Sequence, residues 1–197
     1  MQEAGSRRTQ AERRAETRKA LLDAARELIV EKGYAETGTP EIVAKAEVTR
    51  GALYHHFADK ADLMRALVRR EAAAIAREID AGTSPGQPPL EALMAGANAY
   101  FSAMAVPGRA RIMLLEGPAV LGLAEMADID RDTGGATLLE GLRHAASHGA
   151  LQDVPLAPLA ALLSAAFDRA ALAIAGGEDR QPYETATRQL LAGVLKS

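Results

Sequence analysis

The chain of 197 residues has no cysteine and no tryptophan, and only three phenylalanines and four tyrosines. Without cysteine there is no disulfide framework, no thiolate zinc site and no cysteine nucleophile. A reducing, cytoplasmic setting fits that composition. β-Branched residues are few and alanine is abundant, a balance that favours helix over sheet. No apolar segment follows the basic N-terminal stretch, so no secretory leader is expected. The longest apolar run, Leu156 to Ala175, is interrupted near its middle by Asp168 and Arg169. A membrane span avoids such charges, so a buried or interface helix is expected there, and no membrane partner. A Ser-His-Asp elbow, a phosphate loop and a metal constellation are all missing from the sequence pattern. The expectation is therefore a protein that is not an enzyme, with no cofactor and no metal.

What is present is ordinary for a globular chain: 48% apolar and 25% charged residues, at a length that supports one or two domains with a real core. The net charge of −3 is unevenly spread. Residues 1–60 hold 11 basic and 10 acidic side chains, whereas residues 61–197 hold 12 and 16. Arg7, Arg8, Arg13, Arg14, Arg18 and Lys19 gather at the start. This mild asymmetry fits a front end that meets nucleic acid, and fits equally a solvated helix face.

The periodicity is helical throughout. Thr9 and Glu12 form a capping-box pattern ahead of a helix over 9–32, with Leu21, Ala25, Leu28 and Ile29 on one face and Gly33 as its stop. Thr39-Pro40 reads as an N-cap followed by proline at the first helical position, opening a short helix to residue 46. Thr49 caps another over 50–56, and Asp59 caps a longer one that runs to about Ala81. The segment 82–89, GTSPGQPP, is a loop. Further helices are expected over 90–105, 109–115, 118–127, 136–148, 157–175 and 183–195, with an acidic, glycine-ended connection at 128–135. The predicted fold class is all-α: a flexible basic arm over 1–8, a three-helix helix-turn-helix domain over 9–60, and an all-helical domain over 61–197.

Two short helices joined by a tight turn and preceded by a longer one have the layout of a helix-turn-helix, whose second helix enters the major groove by its N-terminal end. The residues over 48–60, VTRGALYHHFADK, suit that role. Thr39 and Thr49 cap and can donate to phosphate. Gly51 lets a backbone approach closely, at a helix N-terminus that attracts an anionic oxygen. Arg50 is long enough to fork onto a guanine edge or a phosphate. Tyr54, His55 and His56 reach phosphates or base edges, and Lys60 faces the DNA backbone, while Leu53 and Phe57 point inward. Tyr54 reads equally as a packing residue with a polar tip. His55 and His56 diverge by roughly 100° on a helix, which makes them a poor chelating pair.

The order Gly33-Tyr34, Thr39, Ile42-Val43-Ala44, Ala46, Val48-Thr49-Arg50-Gly51-Ala52-Leu53-Tyr54, His56-Phe57, Lys60 and Leu63 resembles the DNA-binding domain of TetR/AcrR-family transcriptional regulators over about residues 15–65. The resemblance implies a homodimer that sets one recognition helix, with Ala52 among its contact residues, on each half-site of a palindromic operator. It also implies a helical C-terminal domain that dimerises and binds a small inducer, and a repressor released by it; the acidic, alanine-rich composition of that domain, with a few methionines and one or two aromatics, hints at an apolar or amphipathic molecule. A DNA-binding activator or a nucleoid-type binder of low specificity is the alternative. Two departures stand out. Glu47 occupies the turn position where the family usually has glycine, and Pro40 replaces a side chain that other members use for DNA contact.

The remaining two-thirds of the chain is less specific. Met94, Asn98, Phe101, Met104, Met113, Glu116 and Met126 are the candidate ligand residues: methionine adapts to irregular pockets, and Asn98 and Glu116 offer polar anchors. The same stripe also reads as plain core. Gly117-Pro118 breaks a helix, either at a cavity border or at a simple turn. His144 and His148 stand at i, i+4, a spacing that suits a metal, though an exposed pair is the simpler reading. Helices near 136–148 and 157–175, rich in small residues that permit close approach, are the candidate dimer interface.

Overall fold

A capping box opens the first helix, α1 (Gln10–Lys32): Thr9 accepts from the Glu12 amide, and the Glu12 carboxylate accepts from the Thr9 amide at 2.6 Å. In this computed structural model residues 9–84 and 86–196 are described, so the basic arm expected over residues 1–8 lies outside the described residues. The chain divides into two units, Met1–Leu67 and Val68–Ser197.

In the first unit, α1 ends at Gly33, whose φ of 90° suits a residue without Cβ. A short loop follows. Thr37 is buried and its hydroxyl donates to the Gly33 carbonyl. The Lys60 ammonium donates to the carbonyls of Tyr34 and Thr37 at 3.0 and 3.1 Å, and lies 4.0 Å above the Tyr34 ring. Next comes α2 (Thr39–Lys45). Its N-cap is Gly38, not Thr39 as the Thr-Pro pattern suggested. The physical reason is Glu41, which accepts from the Gly38 amide and is held by Lys32 at 2.6 Å, so the helix starts one residue early. Glu27 pairs with Lys45, a second ion pair between α1 and α2.

The turn into α3 (Arg50–His56) passes through Glu47, the one described non-glycine residue with positive φ, at 55°. Thr49 caps α3 by accepting from the Ala52 amide. Seven residues are too few for a self-sustaining helix, since isolated helices below about 12 residues are marginal. Its stability comes instead from packing on α1 and α2. Leu53 is fully buried and Phe57, at its C-cap, nearly so, beside Leu21, Leu22, Ala25, Ile29 and Ile42 of the same core. Each of the leucine, isoleucine and phenylalanine side chains contributes about 1.5–3 kcal/mol on burial. Val43 and Ala46, apolar residues in the last turn of α2 and just past its end, are only half-buried. Asp59 accepts from the Asp62 amide and starts α4 (Lys60–Gly82), within which the division between the two units falls.

The second unit holds α5 (Pro89–Met104), α6 (Arg109–Arg111), α7 (Gly117–Leu121), α8 (Leu123–Arg131), α9 (Gly134–Ser147), α10 (Leu156–Ala175) and α11 (Arg180–Val194). Between α6 and α7, residues Ile112–Glu116 form a π-helical turn closed by the Gly117 amide on the Ile112 carbonyl. A Cβ on residue 117 would stand 2.9 Å from that carbonyl and 3.1 Å from the Met126 sulfur, so glycine permits the wide turn. The expected break at Gly117-Pro118 is thus a change of helical type. The acidic connection expected at 128–135 is corrected as well: α8 runs on to Arg131 and α9 starts at Gly134. α8 continues through the acidic stretch, where Asp128 pairs with Arg131 one turn later, at 2.6 Å. Among the described residues the sole β-type pairing is an isolated bridge, Leu151 to Leu195.

α10 packs against α9, α5 and α6, burying Leu163, Phe167, Ala170 and Ala171. It is long and apolar enough to cross a membrane by length and composition alone. Its Asp168, however, accepts a hydrogen bond from the Tyr100 hydroxyl on α5. A second polar knot lies at Arg109, which is 7% exposed. Its guanidinium donates to Glu71 at 3.0 Å, to both oxygens of Glu78, and to the Ala103 carbonyl at 2.7 Å. With its donors shared among these acceptors, a buried charge is tolerated that would otherwise be costly.

The Glu47 turn yields the first prediction. Left-handed backbone costs a residue with Cβ about 1 kcal/mol or more, partly offset by the extra unfolded-state freedom of glycine. Glu47→Gly is therefore expected to raise the urea midpoint or leave it unchanged. A clear loss of stability would show that the Glu47 side chain contributes more than its backbone costs.

Candidate functional site

The exposed face of α3 carries Arg50, Gly51, Tyr54 and His55. The Arg50 guanidinium lies 5.5 Å from the centre of the Tyr54 ring, one turn apart on the helix. Tyr54, 45% exposed, shares a hydrogen bond with the Thr39 hydroxyl at the start of α2, and that bond together with Arg50 holds its phenol below its ordinary pKa. Thr39, Arg50 and Tyr54 therefore form one connected polar surface spanning both short helices. Thr49 is exposed and spends its hydroxyl oxygen on the α3 cap, while Ala52 is half-buried just behind. Gly51 is informative for what does not crowd it: a Cβ there would meet only the Thr49 hydroxyl, at 3.8 Å. Internal packing does not require glycine, so its value lies in the bare backbone it turns to the outside.

His56 is half-buried, with His55 5.5 Å and Phe57 6.3 Å away between ring centres. Burial first, then the neighbouring His55, Arg14 and Arg18, holds its imidazole below the usual value, so it is neutral at pH 7. Arg18 of α1 lies over the Phe57 ring at 5.3 Å. Lys60 was read as facing a DNA backbone, yet the structure spends two of its three N–H donors on the Tyr34 and Thr37 carbonyls. Pro40 is exposed on α2.

The second unit contains a cavity of about 700 Å³, lined by the C-terminal end of α4, by α5, α8, α9 and α10, and by the loop ahead of α5. One face of α5 supplies Pro89, Ala92, Leu93, Gly96, Ala97 and Tyr100. These positions repeat at i, i+3, i+4, i+7, i+8 and i+11, a single helical stripe. α9 adds Thr137, Leu138, Glu140, Gly141 and His144, and α10 adds Ser164 and Phe167. Gly141 permits close packing, since a Cβ there would press on Leu93 at 3.2 Å.

None of the seven ligand residues expected from the sequence lines this cavity. Met94 and Phe101 lie to one side of that stripe and Met104 lies one turn beyond Tyr100, and all three are core, at 3%, 1% and 1% exposure. Met113 is buried in the π-helical turn, and Glu116 pairs with Arg111 at 3.1 Å. Met126 packs its sulfur toward Gly117, and Asn98 has a buried side-chain oxygen without a hydrogen-bond partner. His144 and His148 do lie together, their ring centres 4.3 Å apart, with His144 on the cavity wall. Among the described residues no third potential ligand joins them.

The polar residues that do reach the cavity are ones the sequence singled out for other reasons or not at all. Asp130 of α8 opens onto it and also bonds the Gly135 amide and Ser164. The surrounding protein raises its carboxyl above the ordinary range, against the pull of those two hydrogen bonds. Behind Tyr100, burial pushes the Asp168 carboxyl up to about 6, with Asp130 adding to the rise and the Tyr100 hydrogen bond opposing it. The Tyr100 hydroxyl is raised too, by burial first and then by Asp168. The usable signal was Asp168 itself, a charge inside an otherwise apolar run.

Known proteins share both regions. Residues 21–67 match the model of bacterial regulatory proteins of the tetR family, and residues 90–197 match the tetracyclin repressor-like C-terminal domain. The HTH-type transcriptional repressor BepR of Brucella suis is 47% identical over 64 residues, covering 32% of this chain and 30% of BepR. The match thus spans about a third of that relative. A TetR-family transcriptional regulator from Pectobacterium atrosepticum is 32% identical over 96% of this chain and 99% of its own, with a TM-score of 0.76. The fatty acid degradation regulator FadR of Bacillus halodurans, 20% identical with a TM-score of 0.77 over 89% of this chain and 94% of its own, shares the fold.

The Asp168–Tyr100 pair carries a pH prediction. Because the folded carboxyl is raised, the folded chain holds its proton more tightly than the unfolded chain does, and stability falls as pH rises from about 4 to about 6. Asp168→Asn keeps an acceptor for Tyr100 and removes that loss. Its urea midpoint should match wild type near pH 4 and exceed it at pH 7. A variant weaker than wild type only at pH 7 would mean that the charge is stabilised by a cation.

Proposed function

The chain belongs to the TetR family of bacterial regulatory proteins, and from that membership we propose that it acts as a homodimeric, ligand-responsive transcriptional repressor on a palindromic operator. It is a DNA-binding transcriptional regulator and not an enzyme. The observation that carries the finer reading is the polar surface of α3: Arg50 stacked on Tyr54, Tyr54 bonded to Thr39, and Gly51 bare beside them, on a helix anchored by Leu53 and Phe57. Arg50 reads a base edge, preferably guanine, by a bidentate contact. Thr39, Thr49, Tyr54 and His55 hold phosphates, and the backbone at Gly51 and Ala52 lets a phosphate approach the helix N-terminus. His56 and Lys60 act closer in, Lys60 by fixing the loop ahead of α2.

Dimerisation is assigned to α10 and α11. On α10 the exposed positions Pro158, Ala161, Leu162 and Ala165 share one face, and on α11 Pro182, Ala186, Leu190 and Gly193 do the same. Leu162 is 72% exposed and Leu190 51%, large apolar groups on otherwise small, flat stripes that suit helix-on-helix approach. α9 is a poorer choice than the sequence suggested, because it is engaged with α5, α8 and α10 and borders the cavity.

A dimer presents two α3 helices about 34–36 Å apart, one DNA turn. The cavity is the effector site, and α4, which supplies Ile79 and Asp80 to its lining, is the element through which occupancy changes DNA affinity. Such coupling is typically about 1–3 kcal/mol and reciprocal, so operator DNA weakens effector binding by the same factor. Action on chromosomal DNA places the protein in the cytoplasm.

Selection of bound sequences from a random duplex library, with wild type and Arg50→Ala in parallel at fixed salt, tests the reading. The expected result is a palindrome for wild type and relaxed choice at one position per half-site for the variant, with a loss of about 1–3 kcal/mol. No enriched sequence from wild type would replace the repressor reading with a nonspecific binder.

A further inference from the structure

Charge in the cavity is one-sided. Among the described residues three carboxyl side chains line it, Asp80, Asp130 and Glu140, and no lysine or arginine does. Much of the rest of the wall is hydrocarbon, with Ile79, Leu93, Ala97, Leu138 and Phe167 prominent. The basic side chain nearest in sequence to Asp130, Arg131, is spent on Asp128 at 2.6 Å. Among the described residues His144 is the one histidine on the wall.

Among the three acids, Asp130 is the one built into place. It takes hydrogen bonds from the Gly135 amide and from Ser164 of α10. A Cβ on residue 135 would stand 2.5 Å from the Asp130 carboxyl oxygen and 3.0 Å from its carbonyl, so the start of α9 closes on the carboxyl with bare backbone. The carboxyl is thereby fixed in direction while it stays open to the cavity. Tyr100 cannot serve it, because the phenol hydrogen points to Asp168. A fixed acceptor on a largely apolar wall, with no lysine or arginine beside it among the described residues, is complementary to a donor cation brought by a ligand.

Resting on the effector reading of this cavity, we propose that the effector is an amphipathic protonated amine, its ammonium donating to Asp130 and its hydrocarbon body lying along Leu93, Leu138 and Phe167. A volume of about 700 Å³ accepts a body of drug-like size. Charge-assisted N–H donation to a carboxylate is about twice as strong as a neutral pair, which sets amine above alcohol. A fatty acid or another organic anion would face three carboxyl groups and, among the described residues, no lysine or arginine on the wall to pair with, which sets carboxylate last.

The test is calorimetric titration of the full chain at pH 7 with three probes on one skeleton: 4-phenylbutylamine, 4-phenylbutanol and 4-phenylbutyrate. The amine should bind roughly tenfold or more tighter than the alcohol, and the acid most weakly. Asp130→Asn should abolish the gap between amine and alcohol while leaving alcohol binding in place, and Glu140→Gln should keep the gap. Retained alcohol binding also shows that the Asp130 variant is folded. Equal or tighter binding of the acid, an amine preference that survives Asp130→Asn, or no binding of any probe to wild type would each overturn the assignment. A palindrome from DNA selection together with any of those results sinks only the amine assignment. Amine selectivity without an enriched DNA sequence sinks the repressor reading and leaves the charge preference of the cavity standing.

Discussion

A seven-residue helix has no direction of its own. α3 is held by what lies under it: Leu53 fully buried, Phe57 at the C-cap nearly so, and Thr49 locking the first turn. Everything proposed for DNA reading depends on that anchoring, because the exposed Arg50 and Tyr54 stand on the same turns that Leu53 and Phe57 pin to the core. The two ion pairs between α1 and α2 and the Lys60 clamp on the preceding loop serve the same end from outside the core. A rigid support beneath an exposed polar face is what allows a few long side chains to report sequence rather than merely charge.

The second unit spends its polar residues differently. Arg109 is satisfied by Glu71, Glu78 and the Ala103 carbonyl, a closed account of donors and acceptors that fixes α6. Asp130, Tyr100 and Asp168 form an open one: a phenol donates inward to one carboxyl, while the other faces the cavity. The contrast separates a structural knot from groups that await a partner. Arg109 is buried whereas Asp130 stands exposed at the cavity, so the two differ in depth as well as in the count of available donors.

Much of the fold was legible because helix signals are local. Thr9 with Glu12, Gly33, Thr49 and Asp59 act within one turn of themselves, and the helices began and ended close to where those residues stand. The exception at Thr39 shows the limit, since Glu41, held by Lys32 from another helix, moved the cap to Gly38. The α3 surface was legible for the same reason: its members sit within a few residues of one another. The cavity was not. Its lining comes from α5, α8, α9 and α10, and which stripe of α5 faces it is decided by packing between distant helices. Met94 and Phe101 looked like pocket residues by type and proved to be core by orientation. Asp168 carried a signal as a charge in an apolar run, but nothing nearby in sequence names Tyr100 as its partner.

The π-helical turn at Ile112–Glu116 changes how this stretch of chain counts. A π turn is an α turn that has absorbed one extra residue. The helix on either side therefore keeps its faces although the numbering between them has slipped by one. In an ordinary helix the loss of a single residue rotates everything beyond it out of register. Here the wide turn can give up one residue and become α-helical, so a deletion between Ile112 and Glu116 is the kind of length change this helix is built to absorb. Relatives that differ by one residue at this place can share the same packed surfaces, and the gap that separates their sequences would have no counterpart in space.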